Sequence, residues 1–119
     1  MKKTVNLIAG AAAALLLLSS CNLSRNLYSW YAYEDVSYRA SKTRAEKDVE
    51  ALVMTYQKMI ARQEGLRRTV PPGIYAEYGF VLLKQNRTDE GIAMLEKEIE
   101  LYPESRKYIS RIIEQHRKR

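Results

Sequence analysis

The apolar positions of this chain form one uninterrupted block, followed by a series of helical stripes. Val5 to Leu18 is uncharged and mostly apolar, and Ala11 to Leu18 is made only of Ala and Leu. Further on, Val49, Leu52, Val53, Tyr56 and Ile60 recur at i, i+3, i+4, i+7 and i+11, which predicts a helix with one apolar face. Lys47, Asp48, Glu50, Lys58 and Arg62 fill its other positions. Thr43-Arg44-Ala45-Glu46 reads as a capping box in front of that helix, and Gly65 as its stop. Pro71-Pro72-Gly73 predicts the start of the next helix, because proline is tolerated at the first helical position. That helix runs from Ile74 to Gln85, with Tyr75, Tyr78, Gly79, Leu82 and Leu83 inward, and Asn86 suits a left-handed cap. Thr88 or Asp89 should cap a further helix reaching about Tyr102, with Ile92, Leu95, Ile99 and Leu101 apolar and Pro103 as its stop. The last helix spans Ser105 to about His116 and turns Tyr108, Ile109, Ile112 and Ile113 inward. No alternating stretch is long enough for a strand, so the expected fold class is all-α.

The first apolar block differs from the rest. Lys2 and Lys3 give it a basic start, and Leu18-Ser19-Ser20-Cys21 ends it. A basic n-region, a short apolar h-region and small residues at the cut describe a secretory signal peptide. An apolar residue and two small residues before a cysteine match the lipobox of bacterial lipoproteins. We therefore expect residues 1–20 to be a lipoprotein signal peptide, cut between Ser20 and Cys21, with Cys21 acylated. The block is too short to span a bilayer, which takes about 20 apolar residues. Cys21 is the sole cysteine, so no intrachain disulfide supports the fold. Asn22 follows it, without the acidic residue that often retains lipoproteins in the inner membrane. The expected location is the cell envelope, on the outer membrane facing the periplasm.

Residues 21–26 read as a lipidated tether, and residues 27–119 as a single helical domain. An aromatic block opens that domain: Tyr28, Trp30, Tyr31, Tyr33 and Tyr38. It could sit at the membrane interface, where Trp and Tyr are favoured. It could instead form a short helix packed on the domain, which is the preferred reading, because a small domain without disulfides needs large apolar side chains.

Pro72 to Tyr102 resembles one tetratricopeptide repeat, two antiparallel helices with small residues where they cross. Gly79 and Gly91 fall at small positions, Tyr75, Tyr78, Leu82 and Leu95 at large ones, and Pro103 closes the unit. Glu98 stands where alanine is usual. One period onward, Tyr75 maps to Ile109 and Tyr78 to Ile112, so the last helix is expected to cap the repeat. The register fails backwards, with Arg44 and Asp48 at would-be core positions. The architecture expected is a tetratricopeptide-like hairpin with a capping helix, preceded by a long amphipathic helix and a short aromatic one.

Three blocks carry a closer resemblance. Leu27-Tyr28-Ser29-Trp30-Tyr31-Ala32-Tyr33-Glu34, Val70-Pro71-Pro72-Gly73-Ile74-Tyr75-Ala76-Glu77-Tyr78-Gly79, and Tyr102-Pro103-Glu104-Ser105 are spaced along almost the whole domain. Together they are similar to an uncharacterised lipoprotein family known as domain of unknown function 4810. Tyr31 departs from it, since that family usually has glycine there. Glu98 agrees with it. The resemblance implies a membrane-associated assembly, with a lipoprotein resembling the curli secretion channel as the neighbour, and assigns no activity.

Charge and chemistry narrow the function. Without Lys2 and Lys3, 18 basic residues face 14 acidic ones, a net charge of +4. The excess gathers at Arg111, Arg117, Lys118 and Arg119, where cations complement a helix end. Nucleic acid is not an expected partner outside the cytoplasm. The one histidine, His116, stands in this basic tail, and no metal cluster, nucleophile elbow or phosphate loop is present. Glu46 with Glu50, and Glu96 with Glu100, could pair across a glycan only in a suitable cleft, and their helices are rich in cations. No enzyme, metal or small-molecule cofactor is expected. Two classes remain: an anchored adaptor docking on another envelope lipoprotein, with Trp30, Tyr31, Tyr33, Tyr75 and Tyr78 as candidate contacts, or a cell-wall or small-ligand-binding lipoprotein.

Overall fold

A computed structural model describes residues 1–19 and 26–118, with only the backbone for residues 11–19. Ser20 and Cys21, the expected cut and lipidation site, lie outside the described residues. Helix α1 covers Lys2–Ser19, and no described helix is long and apolar enough to cross a membrane. The rest of the described chain is helical without a strand: α2 (Tyr33–Thr43), α3 (Glu46–Ala61), α4 (Ile74–Lys84), α5 (Thr88–Leu101), a 3₁₀ turn (Pro103–Ser105) and α6 (Arg106–Arg117). The all-α expectation holds.

Residues 26–43 run antiparallel to residues 46–68. Tyr33 packs against Tyr56, the Tyr31 hydroxyl donates to the Arg62 carbonyl at 2.6 Å, and Leu27 accepts from the Arg67 N–H. The N-terminal half is thus itself a helical hairpin, although the repeat register does not reach it. The reversal is made by Arg44, which ends α2 in the left-handed region at φ 53°. The capping box expected at Thr43 to Glu46 does not form. Thr43 is the last residue of α2; its hydroxyl accepts from the Ala45 N–H and donates to Asp48, and Ala45 is the N-cap of α3 without a side-chain bond.

Helix α3 ends at Ala61, so Gly65 does not stop it. Its absent side chain serves a close approach instead. A Cβ at Gly65 would stand 2.5 Å from the Leu27 carbonyl oxygen and 2.6 Å from the Tyr28 Cα. Into that space the chain entering the domain is clasped. Ser29 N–H donates to Gln63 Oε1, Gln63 Nε2 donates to the Ser29 carbonyl, and Ser29 Oγ accepts from the Glu64 and Gly65 N–H groups. The Leu27 carbonyl and the Ser29 N–H and carbonyl are engaged by residues 63–67, and the stretch from Leu27 to Trp30 is not helical. The aromatic block straddles an extended entry and the start of α2 rather than forming a helix of its own.

The proline pair also works differently from expectation. Helix α4 starts at Ile74, its N-cap is Gly73 at φ 92°, and both prolines precede it. Neither occupies the first helical position. The glycine supplies the left-handed turn that brings the chain onto the helix axis. Asn86 takes φ 61° after α4, as expected of a cap. Helix α5 begins at Thr88 with Arg87 as N-cap, so neither Thr88 nor Asp89 caps it; Arg87 and Glu90 form an ion pair there.

Two apolar clusters make the core, and α4 belongs to both. The first joins Val36 and Ala40 of α2, Leu52, Tyr56 and Met59 of α3, Val70, and Ile74, Tyr78 and Leu82 of α4. The second joins Ala76 and Leu83 of α4, Ile92 and Leu95 of α5, and Ile109 and Ile113 of α6. The buried face of α3 is rotated from the predicted stripe: Thr55 and Met59 are buried, while Val49, Val53 and Ile60 are half-buried. Tyr108, expected inward, is 67% exposed, and the apolar Leu101 is 43% exposed. Helices α4 and α5 cross at the two glycines. A Cβ on Gly79 would lie 2.9 Å from the Gly91 carbonyl oxygen, and one on Gly91 would lie 2.8 Å from Leu83.

Candidate interaction surfaces

A tyrosine–carboxyl hub ties the first cluster together. Glu77 of α4 accepts from the Tyr33 hydroxyl at 2.7 Å and from the Tyr56 hydroxyl at 3.0 Å through the same oxygen. Burial, followed by the bond to Glu77, pushes the Tyr33 hydroxyl up to about 12 from its usual 10.0. Burial, then the Glu77 charge, pushes Tyr56 up as well. The rings continue as a ladder, with centroids 6.2 Å apart for Tyr28–Trp30, 5.4 Å for Trp30–Tyr33, 6.1 Å for Tyr33–Tyr56 and 5.7 Å for Tyr56–Tyr78. Aromatic pairs at such spacing contribute about 0.5–1.5 kcal/mol beyond their burial.

A second polar latch fixes the turn before α4. Glu98 is 2% exposed, and its Oε1 accepts from the Gly73 N–H at 2.7 Å. Its partner is thus the turn before α4. A carboxyl group there faces the amino end of α4, where negative charge is favoured. Among the described residues, Glu98 Oε2 is buried without a hydrogen-bond partner. One turn on, the Tyr102 hydroxyl donates to the Val70 carbonyl at 2.5 Å. Burial, then neighbouring Tyr28, raises that hydroxyl's pKa.

The candidate contact residues divide between core and surface. Tyr78 is buried and its hydroxyl accepts from Gln57 at 3.0 Å. Tyr33 and Tyr75 are half-buried against the first cluster. Trp30 and Tyr31 remain 44% and 37% exposed, and the Lys58 ammonium lies 4.4 Å from the centre of the Tyr31 ring. Tyr31 takes φ 50°, a conformation that glycine adopts without strain, and Lys58 and Arg62 hold the tyrosine there. Of the residues assigned to repeat packing, Gly79, Leu82, Gly91 and Leu95 are buried at helix contacts, while Pro103 is exposed in the 3₁₀ turn.

Sequence reasoning missed the surface most suited to a partner. A groove of about 720 Å³ lies between α2 and α4, floored by α3. Ala40, Val49, Leu52, Tyr56 and Val81 give it an apolar floor, with Glu77 among them. Arg44 and Lys84 stand on its edge, both exposed. None of the ion pairs among the described residues uses either cation. Only the αL turn at Arg44 could have placed that residue there, and the sequence marks it poorly. Among the described residues, no group of three or more His, Cys, Asp or Glu could hold a metal ion.

Two helical hairpins and a closing helix, latched by Ser29, Glu77 and Glu98, define a small all-α domain that carries an apolar, cation-edged groove between α2 and α4. The chain belongs to the family described as Domain of unknown function (DUF4810), whose pattern matches residues 27–112. No curated protein and no solved structure matches it. The three sequence blocks named above converge on the connection between α3 and α4, through Ser29 with Gln63, Gly73 with Glu98, and Val70 with Tyr102.

Proposed function

We propose that this protein is a lipid-anchored envelope lipoprotein that works without catalysis, as an adaptor for another envelope protein. The observation carrying this reading is the α2–α4 groove. An apolar floor edged by two unpaired cations suits a segment that carries apolar side chains beside acidic ones, and electrostatic complementarity guides such encounters. The signal-peptide pattern ending at Cys21 supports the anchor. The resemblance named in the sequence analysis, which implies a membrane-associated assembly, agrees with this reading. Tyr33 and Tyr78 act in building the domain, so docking moves from them to the groove.

The test is site-specific photocrosslinking in intact cells, with the photoreactive residue at Ser41 on the groove edge. A discrete adduct with one envelope protein is expected, and Arg44→Glu with Lys84→Glu should abolish it while helicity by circular dichroism stays unchanged. A protein that forms no adduct from Ser41, and that binds cell-wall glycan when purified, would overturn the adaptor reading.

A further inference from the structure

The clasp at Ser29 leaves one face of the domain apolar, basic and close to the expected anchor. Leu27 is 53% exposed, Leu66 55%, Trp30 44% and Tyr31 37%. Trp30, Tyr31 and Leu66 line one shallow depression of about 710 Å³ with Asn26, Arg68 and Glu64, whose carboxylate is paired with Arg62, and Leu27 lies next to it. Arg67 and Arg68 are exposed beside Leu66, and the Arg67 N–H is bonded to the Leu27 carbonyl. Arg68 holds φ 49°, so the turn that displays it is defined by the backbone. No ion pair among the described residues engages Arg67 or Arg68.

We infer that this face lies on the membrane surface, with Trp30 and Leu66 entering the interface and Arg67 and Arg68 meeting anionic headgroups. This face suits lipid better than a protein partner for two reasons. First, Asn26 lines the depression and stands five positions after Cys21, a span of at most about 17 Å. A domain held that close must present some face to the bilayer, and this one adjoins the point of attachment. Second, its chemistry is that of an interfacial surface. Trp and Tyr favour the headgroup level, and basic side chains beside them are attracted to anionic lipid. The α2–α4 groove is lined by none of these residues, so both surfaces can be used at once.

This inference rests on acylation of Cys21 for its geometry, and the experiment separates the two. Trp30 is the sole tryptophan, so its emission reports this face without labelling. The full chain, as processed by cells, is placed in phosphatidylethanolamine–phosphatidylglycerol vesicles carrying brominated acyl chains, and its N-terminal mass is measured in parallel. The expected result is a blue shift and loss of Trp30 emission in brominated vesicles. Arg67→Glu with Arg68→Glu should restore the emission, and so should the single exposed change Leu66→Ser, with helicity unchanged in both. Acylation with no quenching overturns the membrane face and leaves the anchor standing. Quenching of a chain that lacks the acyl mass upholds the face and overturns the anchor. Emission shielded from acrylamide in native membranes but untouched by brominated lipid would mean that a protein covers Trp30, and the inference would fail.

Discussion

The two clusters that share α4 are held together by different means. The first relies on rings and hydroxyls: Tyr33, Tyr56 and Tyr78 pack beside Val36, Leu52 and Met59, and Glu77 ties two of the hydroxyls. The second is aliphatic, with Leu95 completely buried and two helix backbones brought together at Gly79 and Gly91. Aliphatic packing tolerates no added volume at the crossing but needs no polar partner. The aromatic side needs each hydroxyl satisfied, and in return it fixes where the incoming chain sits. The difference shows how a domain of this size, with no disulfide, can hold an irregular N-terminal segment as firmly as a helix.

Breaking each cluster at its centre tests whether α4 couples them. Met59 and Leu95 are both 0% exposed. Met59→Ala and Leu95→Ala should each destabilise by about 2–5 kcal/mol, the range for emptying a buried site. Urea denaturation of the single and double variants gives the coupling. Additivity within about 0.5 kcal/mol would show two independent cores, and a larger deviation would show that α4 transmits strain between them.

A smaller effect is expected at the latch that joins the regions. Glu98→Ala strands the Gly73 N–H and should cost about 1–3 kcal/mol, the range for an unmet buried donor. Glu98→Gln retains an acceptor and should lie closer to the parent in melting temperature. Equal melting for parent and Glu98→Ala would show that the latch contributes nothing.

The smallest effect separates the regions by pH. The Tyr33 hydroxyl ionises near pH 12 in the folded chain and near pH 10.0 when unfolded. The folded state therefore holds the proton more tightly, so this stabilisation is complete below pH 10.0 and is lost as pH rises toward 12. Tyr33→Phe should lower stability at neutral pH by about 0.5–1.5 kcal/mol, the value of one hydrogen bond, and flatten the alkaline decline. An unchanged decline in that variant would assign it to groups elsewhere.

The second region was far more legible in the sequence than the first. Leu82, Ile92, Leu95 and Ile109 follow helical spacing, and Gly79 and Gly91 mark a close crossing that a small-residue pattern announces. Asn86 fulfilled its local preference because nothing distant competes with it. In the first region distant partners overrode local signals. Thr43 has the residues of a capping box around it, yet the turn at Arg44 makes it a helix end. Gly65 looked like a stop, but the Leu27 backbone claims its empty side. Met59 and Thr55 are buried because α3 is rotated to meet the tyrosines. Glu77 gave no signal, since a glutamate on a helix is ordinarily solvated and only Tyr33 and Tyr56 make it a hub. The groove depends on the packing of three helices and could not be read from any one segment.

The clasp has a kinetic consequence. Gly79 and Gly91 meet across a short hairpin, whereas Ser29 must find Gln63 across 34 positions and Tyr33 must find Glu77 across 44. Loop closure charges the longer search more, and non-local contacts slow folding. The α4–α5 hairpin is therefore expected to nucleate, with the entry segment docking last. Until it docks, the surface destined for the clasp is open, and the interval before closure is the stage at which this chain is most exposed to misassociation.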